Sequence, residues 1–223
     1  MERIFDGKVY EILPTSNGVI FSYFNGENTD GTVDVSYKMI SFENRRMTDI
    51  AKNVYMITKF GNGYKAVEKL CENYITVKSL ILPGGRVFLL LEDGTAHLVD
   101  ADGEPLWTGS LVYKNMAPSD IVLFGEGLWC CYPDGNLLLR YSLVNMKYEL
   151  RVGGKDSVFQ GPCDLFEEDG LLVICNKSSK QIQRFNPENY DVLDYETFEE
   201  ELYQYTNVGG HRFVILESGL YVI

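Results

Sequence analysis

The amino-acid sequence predicts an all-β fold of the β-propeller class, and three observations carry that prediction. Three successive stretches start at Gly85, Gly127 and Gly170 and each hold an apolar run, a turn and a second run: GRVFLLLEDGTAHLVDADGEPLW, GLWCCYPDGNLLLRYSL and GLLVICNKSSKQIQRFN. Their period of about 42 residues belongs to blades of about four short strands, and the runs lack the 3.6-residue rhythm of stacked helices. A polar residue followed by aliphatic ones stands upstream of each stretch, at Ser79-Leu80-Ile81, Asp120-Ile121-Val122 and Asp164-Leu165-Phe166, and reads as the start of an innermost strand. Finally, the runs at 87–91, 171–175 and 213–216 are apolar on both faces, as expected of strands in sheets packed between two other sheets.

The marker recurs at Glu11-Ile12-Leu13, Asp49-Ile50-Ala51 and Asn207-Val208, with apolar runs following at 19–24, 54–60 and 212–216. Six copies predict six blades. The interval from Asp49 to Ser79 is short, about 30 residues against the usual 40 or so, which keeps five blades as the alternative. The last copy reaches Ile223 after two or three strands. Its outer strand is therefore expected from residues 2–6, whose pairing there closes the ring and leaves no sheet edge open. Segments 64–74 and 196–205 space their apolar residues as a helix does and are candidate helical insertions. No Pro/Ser-rich linker interrupts the chain, so residues 1–223 are expected to form one domain.

Composition limits the function classes. Twenty basic against thirty-two acidic residues leave a formal charge of −12, which repels nucleic-acid phosphates and anionic lipid, so neither is an expected partner. No apolar stretch reaches membrane-spanning length, and the opening residues lack a signal-peptide core, from which a cytoplasmic location is expected. Five cysteines, most of them within strand-like runs, suit reduced thiols better than a disulfide framework.

Two segments resemble a known family. Pro118-Ser119-Asp120-Ile121-Val122 leading to Pro133-Asp134-Gly135, and Pro162-Cys163-Asp164-Leu165 leading to Gln181-Ile182-Gln183-Arg184-Phe185, are similar to repeats of the NHL and related six-bladed propellers, clearly so over residues 79–195. The resemblance implies a fold, and fold does not imply function.

Propeller symmetry would set the marker residues Glu11, Asp49, Ser79, Asp120, Asp164 and Asn207 in a ring around the central channel. Carboxylates converging there suit a divalent cation such as calcium, and similar six-bladed lactonases use such a metal to polarise an ester. The plainer reading is that each residue starts a strand by bonding nearby backbone. Asp100-Ala101-Asp102-Gly103-Glu104 lacks the distant Glu of an EF-hand and reads as a hairpin turn. His97 and His211 stand at no zinc spacing, the adjacent Cys130 and Cys131 point to opposite faces, and there is no nucleophile elbow or phosphate loop. No motif names a reaction. Loops joining second to third strands form a mostly acidic rim, broken by a sector with Lys177 and Lys180; Tyr132, Asp134 and Asn176 join these as candidate binding residues. Six acidic residues between Asp191 and Glu201 read as a solvated face or a dock for a basic partner. The expected function is non-catalytic recognition of a protein or small polar ligand without a cofactor, and the alternative is a metal-dependent lactonase-type hydrolase at the channel.

Overall fold

A computed structural model describes residues 1–223. The chain begins with β1 (Glu2–Asp6) and then forms β2 (Val9–Thr15), β3 (Gly18–Glu27), β4 (Val33–Ser41) and β5 (Met47–Asp49), the last four being one antiparallel sheet, blade 1. Helices α1 (Lys52–Phe60) and α2 (Tyr64–Leu70) follow. Blade 2 is β6 (Thr76–Ile81), β7 (Val87–Leu91), β8 (Thr95–Val99) and β9 (Pro105–Ser110). Blade 3 is β10 (Asp120–Phe124), β11 (Gly127–Tyr132), β12 (Leu137–Ser142) and β13 (Tyr148–Gly153). Blade 4 is β14 (Pro162–Glu168), β15 (Leu171–Asn176), β16 (Gln181–Phe185) and β17 (Val192–Thr197). Blade 5 takes β18 (Leu202–Val208), β19 (His211–Leu216) and β20 (Gly219–Val222), and its outer strand is β1, paired antiparallel to β20 as the sequence predicts.

The molecule is thus a propeller of five blades, not six. The first strands adjoin around the axis in the order β2, β18, β14, β10, β6, and between β6 and β2 the gap is filled by α1. The Asp49 copy of the repeat is the one that fails. Asp49 ends the outer strand of blade 1, and the apolar run at 54–60 is α1. Its inward face, Tyr55, Met56, Lys59 and Phe60, has helical spacing. The outward Val54 and Ile57 are also apolar, 43% and 41% exposed, and they mask that rhythm as a continuous strand-like run. Gly61 ends the helix at φ 71°, its N–H donating to the carbonyl of Ile57. Segment 64–74 does contain a helix, α2, whereas 196–205 runs through the end of β17 into β18.

The both-face apolar character of the second strands has a direct packing cause. In β11, Leu128, Cys130 and Tyr132 enter the core shared with blade 2, while Trp129 and Cys131 enter the core shared with blade 4. Similar cores join blades 4 and 5 and blades 5 and 1. Between blades 1 and 2 the core is completed by the helices, with Tyr55, Met56, Phe60, Val67 and Cys71 bridging Ile20 of blade 1 to β7 of blade 2. The helical pair is a wedge occupying a sector that a sixth sheet would fill. All five cysteines are free thiols, and no helix is long and apolar enough to cross a membrane. Asp100–Glu104 is the turn between β8 and β9, with Asp100 Oδ1 accepting the N–H groups of Asp102 and Glu104 at 2.9 Å.

Strand β1 closes the ring through its ladder to β20 and through Phe5, whose ring lies 5.1 Å from Phe21 and 4.8 Å from Tyr23 of blade 1. Deleting residues 1–6 exposes the edge of β20 and removes the contacts of the half-buried Phe5, a loss of about 1–3 kcal/mol. Urea unfolding is expected to show it as a lower midpoint; an unchanged midpoint would mean that β1 is not the closing strand.

Candidate functional site

Five side chains meet at the axis, one from the start of each innermost strand: Glu11, Lys78, Asp120, Asp164 and Gln204. Four of them share a local device. The ladder to the second strand skips one residue just before Glu11, Lys78, Asp164 and Gln204, leaving Tyr10, Val77, Cys163 and Tyr203 bulged. Such a bulge re-aims the next side chain. Asp120 opens β10 and pairs with Cys131 without a bulge.

Three ring side chains latch one blade to the next. Asp120 Oδ2 accepts the N–H of Leu165 at 2.7 Å, Asp164 Oδ2 accepts that of Tyr205 at 3.0 Å, and Gln204 Oε1 accepts that of Ile12 at 2.7 Å. The Gln204 amide also donates to the carbonyl of Ile12 at 3.1 Å. Each acceptor belongs to the blade before the one that carries the N–H, so inner-strand edges are satisfied by the neighbouring sheet.

The latch changes form at the helical wedge. Glu11 turns to α1, where it accepts from the Tyr55 hydroxyl and from Lys59 Nζ at 2.6 Å. Lys78 has no acceptor to offer blade 3; its ammonium lies 3.0 Å from Asp120 Oδ1 and 3.5 Å from Asp164 Oδ1. Counting Lys59 of α1, three carboxylates at the ring thus face two ammonium groups. Burial pushes the Asp164 carboxyl up, and although Lys78 opposes this, the neighbouring Asp120 adds to it, leaving the group at about 8. Burial likewise raises Asp120, while the two aspartates outweigh the burial of Lys78 and hold its ammonium above the ordinary lysine value. Burial also keeps the Cys163 thiol protonated and, reinforced by Glu11, raises the Tyr55 hydroxyl well above the usual range.

This ring separates two chambers. One, about 640 Å³, opens on the face that receives the connections between blades. Its floor is the ring with Lys59 and Ser119, and its rim carries Tyr10, Val33, Ile75 and Tyr203, all exposed apolar groups. The other, about 470 Å³, is walled by the far ends of the inner strands, including Leu13, Leu80, Leu123 and Phe166.

Of the ring residues read from the sequence, Glu11, Asp120 and Asp164 are brought together. Asp49 is not: it lies exposed on β5, paired with Lys38. Asn207 is three residues past the ring and donates to Glu168, between blades 4 and 5; Ser79, one past it, donates to the Lys59 carbonyl at 2.6 Å. Sequence reading missed Lys78, Gln204 and the α1 residues Tyr55 and Lys59. The polar residue immediately before Ser79, and that immediately before Tyr205, carried the available signal. No three His, Cys, Asp or Glu side chains converge as a metal site; an ammonium group instead lies against each ring carboxylate.

The loop candidates divide. Tyr132 is not an exposed anchor: it is fully buried, its hydroxyl donating to the Leu111 carbonyl at 2.6 Å. Asn176 is equally buried, accepting from the Gln160 N–H at 3.0 Å. Asp134 is exposed in its turn. Lys180 donates to the Glu199 carbonyl at 2.7 Å. Lys177 lies 4.7 Å from the ring centre of Tyr203 and 3.2 Å from Glu201, so it alone of these reaches the chamber rim.

No family model and no curated protein matches the sequence. Among solved structures the chain is similar to a propeller of natural origin and to designed proteins. A virginiamycin B lyase from Staphylococcus aureus superposes with TM-score 0.52 at 12% identity, covering 100% of this chain and 72% of that one. The computationally designed Ika4 protein gives TM-score 0.51 at 12% identity over 68% of this chain and 91% of the other. For the designed Ika8 protein the values are 0.50 and 11%, over 96% and 57%. At these identities the likeness defines the β-propeller class alone.

Two outcomes test this geometry. Gln204→Leu strands the N–H and C=O of Ile12 and is expected to cost about 1–3 kcal/mol, read by urea unfolding. Folded Asp164 holds a proton at about 8 that the unfolded chain releases near the ordinary aspartate value of about 3.9, so the folded state binds more protons between these limits. Stability then falls as pH rises through that window, by at most about 1.4 kcal/mol per unit, and levels off above it. Asp164→Asn is expected to flatten this dependence between about pH 6 and 8; parallel profiles for the two proteins would contradict the assignment.

Proposed function

We propose that this chain is a non-catalytic binding propeller that recognises a small polar ligand, or a polar group projecting from a protein, in the larger channel chamber. One observation carries the reading: a polar floor whose charges are largely compensated internally lies beneath a rim of exposed apolar residues, Tyr10, Val33, Ile75 and Tyr203. Ligand sites commonly combine apolar walls with a few placed polar groups. Catalysis has weaker support. The Cys163 thiol, the Lys78 ammonium and the Tyr55 hydroxyl are all held in protonated, poorly nucleophilic forms. The lactonase-type alternative requires several oxygen ligands free for one cation, whereas Glu11 is engaged by Lys59, and Asp120 and Asp164 by Lys78. Expected partners remain a protein or small polar ligand, not nucleic acid or membrane, given the −12 charge.

A thermal-shift screen of amino acids, sugars, nucleosides and short peptides tests the proposal. Stabilising probes are expected to bind at least about tenfold more weakly to Tyr203→Ala and Ile75→Asp, a difference of about 1.4 kcal/mol, with the melting of free Ile75→Asp unchanged because Ile75 is exposed. Calcium is expected to leave the melting temperature unchanged. A calcium-dependent shift, or stabilisation that the rim variants do not reduce, would count against this reading.

A further inference from the structure

A further cavity lies away from the axis, in the cleft between blades 5 and 1, with a volume of about 310 Å³. Its wall is apolar, formed by Ile4 of β1, Ile40 of β4, Met47 of β5 and Phe213 of β19. Its polar lining has the opposite sign to the chain as a whole. In a protein of formal charge −12, Arg3, Arg45 and His211 gather at this cleft, with Glu2 the one acid among the lining residues.

The two guanidinium groups are not used up by the fold. Arg45 stands in the turn between β4 and β5 with φ 53° and forms no ion pair. Arg3 is paired only with Asp6, at 3.1 Å on the surface, an arrangement that contributes little to stability. The His211 ring stacks on Phe42, with centroids 4.6 Å apart and planes 18° apart, and both rings line the cleft. An apolar hollow with unspent guanidinium groups at its mouth complements a ligand with an apolar body and an anionic head. The hollow is at the small end of ligand cavities, which favours a small molecule over a protein segment. Glu2 and the acidic field of the chain disfavour a second negative charge.

We propose that this inter-blade cleft binds a small amphipathic monocarboxylate, its apolar body against Ile4, Ile40, Met47 and Phe213 and its carboxylate between Arg3, Arg45 and His211. The site is separate from the channel chamber and does not depend on the function proposed there.

Octanoate is a suitable probe, with octylamine as the same chain bearing the opposite charge. Calorimetric titration and thermal shift of the whole chain are expected to show saturable octanoate binding, at least about tenfold tighter than that of octylammonium. Arg45→Gly removes the guanidinium at a left-handed position that glycine adopts freely, so the fold is expected to keep its melting temperature. That variant is expected to bind octanoate about tenfold or more weakly. Ile75→Asp, in the channel chamber, is expected to bind it as the unmodified chain does. Equal binding of the two probes, undiminished octanoate binding to Arg45→Gly, or no saturable binding would each overturn the proposal.

Discussion

A ring of sheets has a difficulty that a sandwich lacks: every innermost strand turns one hydrogen-bonding edge toward a channel too narrow to hold another strand. Here the N–H groups of Leu165, Tyr205 and Ile12 are met by side chains of the blade before, Asp120, Asp164 and Gln204. A bond to a neutral acceptor contributes about 0.5–1.5 kcal/mol net and one to a charged acceptor about 1.5–3, and an unmet buried donor costs about 1–3. The same contacts fix the position of each sheet relative to its neighbour before side-chain packing fills the space between them. The cores between blades, such as that joining Trp129 and Leu138 to Leu165 and Ile174, are built on this frame.

Ring closure with five sheets follows from the wedge. Five first strands and α1 surround the axis, and the helices complete a core between blades 1 and 2 that contains Ile20, Phe60, Val67 and Leu89. A helix supplies bulk across the gap but no ladder edge. The sector is therefore held by packing and by Glu11, Tyr55 and Lys59 in place of the side-chain-to-backbone latch found elsewhere.

The sheets were legible in the sequence because their burial is two-sided. Runs such as that of β11 must be apolar at every position when alternate side chains enter different cores, and the turns between them must be polar. Closure by β1 was legible for a related reason, since the last repeat lacked an outer strand. Of the wedge, α2 was legible within 64–74, but α1 was not, because Val54 and Ile57 make an exposed helix face look like part of a buried strand. At the site, an acidic marker was readable wherever Asp or Glu did the latching. Gln204 was hidden because an amide can latch as well as a carboxylate, and Lys78 because its role differs from that of the repeat. Tyr132 was misplaced by its sequence position at a strand end; its hydroxyl is satisfied inward by Leu111, which lets the ring be buried.

The chemistry of the channel arises from departures from the repeat. In a regular ring each polar side chain would be consumed in capping the next strand, and the channel would present latches with little net charge to offer. Replacing a sheet by α1 frees Glu11 from that duty and brings in Lys59 and Tyr55. Lys78, which cannot accept an N–H, places a buried ammonium between Asp120 and Asp164 and leaves them sharing one positive charge. Burial raises the Asp164 carboxyl and the neighbouring Asp120 adds to it, while the shared ammonium opposes the rise without cancelling it. Repetition accounts for the stability of the ring, and the irregular sector adds to the chamber a polar floor that strand capping does not require.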